Sequence, residues 1–292
     1  MVIPSGILEP IEKAIARGVP ALPGPLARAL AGRPVRIDGQ ELHPQVRIAL
    51  RLERLTGGSE ILPVAEARER RRRDARVFSG PRLEVARTEE IELPGPAGSI
   101  AARLYSPEGA GGPAPLLVYY HGGGHVIGDL DTHDQPGRFL AREVPALVLA
   151  IDYRLAPEHR FPAAVEDALA GFRWAHAEAD RLGADRDRIG VVGDSAGGNL
   201  AAAVCRLALG DGGPTPALQV LIYPVIDYSA ERRSYDLFGE GFFLTREEMD
   251  WYRENYFARA EDRFDPRASP ILAADLAGLP RAHVVTAGFD PL

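Results

Sequence analysis

The chain has 292 residues, of which 46% are hydrophobic and 26% charged, and a formal net charge of −7. That composition belongs to a folded globular protein and excludes a disordered one, while the acidic balance argues against a surface that grips nucleic-acid phosphates. Cys205 is the single cysteine, so an internal disulfide is excluded, and its Ala-rich apolar surroundings predict a buried, inert thiol.

At the N-terminus, residues 1–10 hold Pro4, Gly6, Glu9 and Pro10, where a secretory signal needs a basic start and a continuous apolar segment. No run approaches the ~20 apolar residues that span a bilayer, so the expected location is cytoplasmic, with no membrane span. Residues 1–80 read as helical. Ile7, Ile11, Ala14 and Ile15 recur at helix spacing, as do Val46, Ala49, Leu50, Leu52 and Leu55. The basic run Arg70 to Arg73 follows Glu66 and Glu69 at i,i+4, which predicts a solvated helix face and not a phosphate-binding patch.

Strands begin afterwards. Residues 89–93 and 100–105 are β-prone and separated by Pro94, Gly95, Pro96 and Gly98, a turn between antiparallel neighbours. From Leu116 the pattern becomes continuous apolar runs, at 116–120, 146–151 and 189–192, alternating with amphipathic segments. Strands buried on both faces look like this. Pro162 starts one crossover helix, with Val165, Leu169 and Phe172 on one face. Two more strands, 218–223 and 283–287, flank an aromatic insertion. Within it, Thr245 and Glu248 form a capping-box pattern ahead of Met249, Tyr252, Tyr256 and Phe257. The whole predicts an α/β fold with a doubly wound, mostly parallel sheet. The expected division is an N-terminal helical cap segment at 1–80, a core at 81–224, a cap insertion at 225–265 and further core at 266–292.

Gly193-Asp194-Ser195-Ala196-Gly197 follows a buried run and opens a helix with Leu200, Val204 and Leu207 on one face. A serine on a tight strand-to-helix turn needs small neighbours two residues to each side, and this makes Ser195 the candidate nucleophile. His121-Gly122-Gly123-Gly124 follows the first strongly apolar strand. Glycines there let backbone N–H groups approach a ligand, so Gly123 and Gly124, with the N–H of Ala196, are assigned to an oxyanion hole. A metal site built from His121, His125 and His133 with Asp129 and Asp131 is the rival reading. It is disfavoured because His-x-x-x-His faces one way only on a helix, which Gly122 to Gly124 oppose. His121 is read as orienting the loop. Two aspartates follow late strands, Asp227 and Asp290, and either could orient a histidine.

HGGG at 121–124, DYRLAPEHRFP at 152–162 and GDSAGGN at 193–199 together resemble the hormone-sensitive-lipase family of esterases. The resemblance spans most of residues 80–292. It implies the α/β-hydrolase fold with a helical cap and hydrolysis of carboxylic esters of short to medium acyl chain, with no metal or organic cofactor. It selects Asp290, in Ala287-Gly288-Phe289-Asp290-Pro291-Leu292, as the acid, leaving Asp227 as a loop or capping residue. Asp194 and Glu158 are read as holding loops by hydrogen bonds. The fold's triad order is serine, acid, histidine, and no histidine follows Asp290. His283 precedes it in a strand and is read as structural. The expectation is therefore a truncated form of an esterase whose histidine, one more helix and a final strand lie beyond Leu292. A chain ending there would lose turnover by on the order of 10⁶. A second reading is a non-catalytic small-molecule receptor, because the family resembles plant gibberellin receptors that lack the histidine. The aromatic residues Phe238, Phe242, Phe243, Trp251 and Tyr252 are candidates for a pocket wall, with packing inside the cap as their other role. The expected partner is a small ester, with no nucleic acid; a homodimer is among the assemblies the sequence allows.

Overall fold

A computed structural model describes residues 13, 15, 17–56, 60–109 and 112–292. The expected contributions of Ile7, Ile11 and Ala14 lie outside the described residues. The chain divides into two compact units. The first comprises Met1–Arg82, Arg232–Met249 and Ala287–Pro291, and the second Leu83–Glu231, Asp250–Thr286 and Leu292. Of the expected cap insertion, the part before Arg232 and the part after Met249 therefore group with the second unit.

In the first unit, helices α1 (Gly24–Ala31), α2 (Pro44–Thr56) and α3 (Val64–Phe78) accompany a two-stranded ribbon of β1 (Arg36–Ile37) and β2 (Gln40–Glu41). Helix α1 packs on α2, burying Ala27, Ala31 and Leu50. The basic run falls on α3, where Arg70 reaches Asp74 at 3.8 Å and Glu69 meets Arg72 at 3.9 Å and Arg76 at 3.5 Å. Surface pairs of this kind contribute little stability, about 0.3–0.5 kcal/mol each. Helix α8 (Arg233–Phe238) also belongs here, and Phe238, Phe242 and Phe289 form a ring cluster with centroids 5.3–5.9 Å apart. Phe238 and Phe242 thus pack within this unit.

The second unit is a seven-stranded sheet. Its strands are β3 (Arg87–Gly95), β4 (Gly98–Ser106), β5 (Ala114–Tyr120), β6 (Leu147–Ile151), β7 (Ala184–Asp194), β8 (Leu218–Ile222) and β9 (Arg281–Val285), in the spatial order β3-β4-β6-β5-β7-β8-β9. β3 and β4 form the expected hairpin, with Leu93 opposite Ile100. β4 meets β6 antiparallel, and all pairs from β6 to β9 are parallel. The central strands are apolar on both faces because helices cover both. Every residue of β6 is buried, as are Leu116 to Tyr120 of β5. The crossovers are α4 (Asp134–Glu143), α5 (Ala163–Ala177) with the short α6 (Ala179–Leu182), and α7 (Ala196–Gly210). Pro162 sits at the N-cap of α5, with Val165 and Phe172 buried beneath it.

The thiol of Cys205 is buried on α7, and burial pushes it up to about 12, so it is protonated and unreactive at neutral pH. β9 departs from the apolar pattern of the other strands. All five residues are exposed, including Val284 and Val285, and His283 pairs with Val220 in the sheet, as its strand position predicts, while remaining exposed. Helix α9 (Arg246–Tyr256) starts at a true capping box. The Glu248 carboxylate accepts from Thr245 N–H at 2.8 Å, and Glu248 N–H donates to Thr245 Oγ1 at 3.2 Å.

Candidate active site

Ser195 stands at the turn between β7 and α7, in the second unit, with φ 53° and ψ −118°. A non-glycine residue at positive φ stores roughly 1–3 kcal/mol of strain and persists only where its surroundings over-determine it. Here they do. Ser195 N–H donates to Ile222 O at 2.8 Å, while its carbonyl accepts from Asn199 N–H at 3.1 Å and Val225 N–H at 3.3 Å. Asn199 Nδ2 in turn donates to Val225 O and Ala268 O, at 2.6 and 2.7 Å, fixing the segment after β8 against the turn. The flanking glycines are obligatory: a Cβ on Gly193 would lie 2.2 Å from the Gly197 backbone, and one on Gly197 would lie 1.9 Å from Tyr120 O.

That last contact also places the glycine run. Tyr120 ends β5, and the carbonyls of Tyr120 and His121 press on Gly197, directly beside Ala196. From the other side Asp194 Oδ1 accepts from Gly122 N–H at 3.1 Å and from Tyr119 OH at 2.9 Å. The 120–122 segment is thus held against both neighbours of the Ser195–Ala196 pair. Asp194 holds a loop, as its position in the motif suggests. Gly123 and Gly124 follow at φ +119° and +60°, and Gly123 O accepts from Val126 and Ile127 N–H, both at 3.0 Å. The Gly123 backbone has no room for a Cβ, which would meet Ile127 O at 2.2 Å. Ala196 is the first residue of α7, so its N–H has no partner inside the helix and sits at the positive end of its dipole.

Two histidines bracket the glycines. His121 is buried and sandwiched between Tyr153 and His133, with ring centroids 4.4 and 4.9 Å away, and its Nδ1 lies 2.8 Å from Gly122 O. A carbonyl only accepts, so Nδ1 carries the proton. Burial, reinforced by His133, lowers His121 to about 3. His125 is also buried, with φ 60°, stacked on Tyr256 at 4.0 Å, with Nε2 3.1 Å from Tyr228 OH, and burial lowers it to about 3 as well. Both rings are neutral at pH 7. Among the described residues no group of three or more His, Cys, Asp or Glu side chains is arranged to hold a metal ion.

The 152–162 loop is held by two arginines. Arg154 grips the buried Asp167 through Nε and Nη2, both at 2.8 Å, and Arg160 donates to Glu254 O and Phe257 O at 2.8 and 2.5 Å. Tyr252 lies against Gly124, where a Cβ would approach its ring to 2.2 Å. Of the candidate wall residues, Tyr252 thus lies beside the glycine run. Asp227 caps a local turn, its Oδ1 accepting from Ser229 N–H at 2.9 Å and Ser229 Oγ at 2.5 Å. Asp290 is half-buried beyond the end of β9, in the Ala287–Pro291 segment that groups with the first unit. The structure thus brings Ser195, Ala196 and the glycine run together in one unit, with Asp290 in the other. The His125–Tyr228–Tyr256 cluster escaped sequence reading, because its members are far apart in the chain and only aromatic composition marks them.

A strained serine between a parallel strand and a helix, beside a glycine run at the end of the neighbouring central strand, is an arrangement in which an open α/β sheet can present a serine hydroxyl at its ligand-binding edge. A family model described as the α/β-hydrolase fold matches residues 117–292. The chain belongs to the hormone-sensitive-lipase-like family of α/β-hydrolases. It is 49% identical to the carboxylic ester hydrolase LipN of Mycobacterium tuberculosis, over 94% of this chain and 75% of that protein. It is 41% identical to the ethyl acetate hydrolase of Pseudomonas putida, over 66% of this chain and 62% of that protein. The chain thus spans three quarters of the first relative and somewhat under two thirds of the second. Among solved structures it is similar to an ester-hydrolase from the metagenome of Lake Arreo, at TM-score 0.82 and 44% identity over 86% of this chain and 81% of that one. It is also similar to an esterase of Pyrobaculum calidifontis, at TM-score 0.78 and 40% identity over 84% and 80%. These relatives do not favour the receptor reading. No helix among the described residues is long and apolar enough to cross a membrane.

Proposed function

We propose that the protein is a serine carboxylesterase with Ser195 as nucleophile. The observation that carries this reading is the backbone of Ser195 at φ 53°, locked from three directions beside the 120–122 segment. In the reaction, Ser195 Oγ attacks the ester carbonyl carbon and gives its proton to a histidine base. The N–H groups of Gly123, Gly124 and Ala196 receive the negative charge that develops on the carbonyl oxygen. Each such donor contributes roughly 2.7–4 kcal/mol where it meets the oxyanion. The alcohol leaves with the proton, and water then cleaves the acyl-enzyme by the reverse sequence. Asp290 is the acid that orients the base, which the fold's chain order places after the acid. Neither His121 nor His125 suits that task, since each is buried and holds little affinity for a proton at pH 7.

Short to medium acyl esters are the proposed substrates, a reading supported by the relative that is named for ethyl acetate. The division into core and cap expected from the sequence is part of the same proposal. So is a cytoplasmic location, which the lone buried Cys205 favours because the fold needs no oxidation. The test is hydrolysis of p-nitrophenyl esters from acetate to palmitate by the full-length gene product. Ser195→Ala is expected to lower kcat by 10⁴-fold or more with folding intact; full activity in that variant refutes the assignment.

A further inference from the structure

The first unit contains a cavity of about 370 Å³, within the range of small-molecule sites. Its wall joins two chemistries. Leu42, Leu50 and Phe242 supply apolar surface, and Arg33, Arg47, Arg51 and Arg54 bring four guanidinium groups. Among the described residues none of the four forms a salt bridge; Glu53 exerts a charge interaction on Arg54, and Glu240 is the carboxylate on the cavity wall.

Three of these arginines are held in place rather than free to swing. Arg47 Nη1 donates to Gly32 O at 3.4 Å, Arg51 Nη1 to Leu30 O at 3.1 Å, and Arg54 Nη2 to Gly241 O at 2.9 Å. Gly32, at φ +68°, leaves space for the Arg51 guanidinium, which a Cβ there would meet at 2.5 Å. Arg47 is only 4% exposed, and its Nε has no hydrogen-bond partner. A buried guanidinium without a counter-charge is costly, and it strongly favours any anion that enters beside it. Guanidinium forks match carboxylate geometry. The apolar wall favours a hydrocarbon tail, while Glu240 and that wall both penalise a multiply charged ion.

We infer that this cavity, walled by Arg33, Arg47, Arg51 and Arg54, binds an organic monocarboxylate with an apolar tail. The binding does not depend on the proposed function. A carboxylic acid is also what ester cleavage would release, so a link to product level is a corollary that does rest on it.

The test is calorimetric titration of the full-length protein with decanoate, decanol, acetate and inorganic phosphate. Decanoate is expected to bind, with decanol and acetate at least ten-fold weaker, since each lacks one half of the match. Arg47→Met is expected to weaken decanoate ten-fold or more, the scale of a lost charge-assisted hydrogen bond. Because Arg47 is buried and its replacement can disturb folding, Arg51→Gln and Arg54→Gln, at exposed positions, provide the second arm with the same expected direction. Decanoate taken up elsewhere, including around Ser195, would be indifferent to Arg51→Gln and Arg54→Gln. That indifference overturns the inference. Phosphate binding as tightly as decanoate overturns it too, leaving a simple anion site.

Discussion

Acid should destabilise this fold through the two histidines that bracket the glycine run. His121 and His125 are each lowered to about 3, chiefly by burial, against about 6.5 in an unfolded chain. The folded state therefore binds fewer protons than the unfolded state between pH 6.5 and 3, and stability falls as pH drops through that window. Each histidine contributes a slope approaching 1.36 kcal/mol per pH unit. From pH 7.5 to pH 5 that integrates to about 2 kcal/mol per ring, or about 4 kcal/mol for both, a large share of a typical 5–15 kcal/mol. The perturbation that isolates one ring is His125→Phe. It keeps the stack on Tyr256 but removes the titrating group and the contact with Tyr228 OH. Urea unfolding at pH 7.5 and pH 5 should show the variant losing about 2 kcal/mol less than the parent on acidification, even if it starts less stable. Groups that do not interact with His125 cancel in the comparison; His121, whose charge also lowers His125, is the neighbour whose own titration the substitution relaxes. An identical pH dependence in parent and variant would refute the claim that His125 is buried neutral.

Two further outcomes follow from the same geometry. Asp194→Ala removes the acceptor for Gly122 N–H and Tyr119 OH, leaving a buried phenol unpaired. It should cost about 2–4 kcal/mol in denaturant unfolding and lower kcat on p-nitrophenyl acetate at least ten-fold, with Asp194→Asn retaining more of both. Cys205, buried with its thiol pushed up to about 12, should resist a thiol-specific disulfide reagent in the native protein and react fully in denaturant. Rapid native labelling would show that α7 is not packed as described.

Local chemistry was legible from the sequence wherever a residue's neighbours in the chain decide its conformation. Gly193 and Gly197 announce the Ser195 turn because only a glycine tolerates the backbone approaches found there. The Thr245–Glu248 box starts α9 because both partners lie within one helical turn. The buried strands β5 and β6 were evident as apolar runs, since burial on both faces leaves no room for polar residues.

What only the tertiary structure decided depends on contacts between distant residues. Composition cannot say that β6 lies between β4 and β5, or that β7 starts at Ala184, five residues before its apolar stretch, where it meets Ala114 of β5. The apolar Val284 and Val285 resemble core residues in sequence, yet they are exposed in β9, while the other outer strand, β3, buries Ile91 and Leu93. His125 looks like a loop residue until Tyr228 and Tyr256 close around it. Likewise Arg47, Arg51 and Arg54 share one cavity wall, where the carbonyls of Gly32, Leu30 and Gly241, from separate parts of the chain, hold them in place. Periodicity records which face of an element is buried, whereas the identity of what buries it is a property of the folded chain.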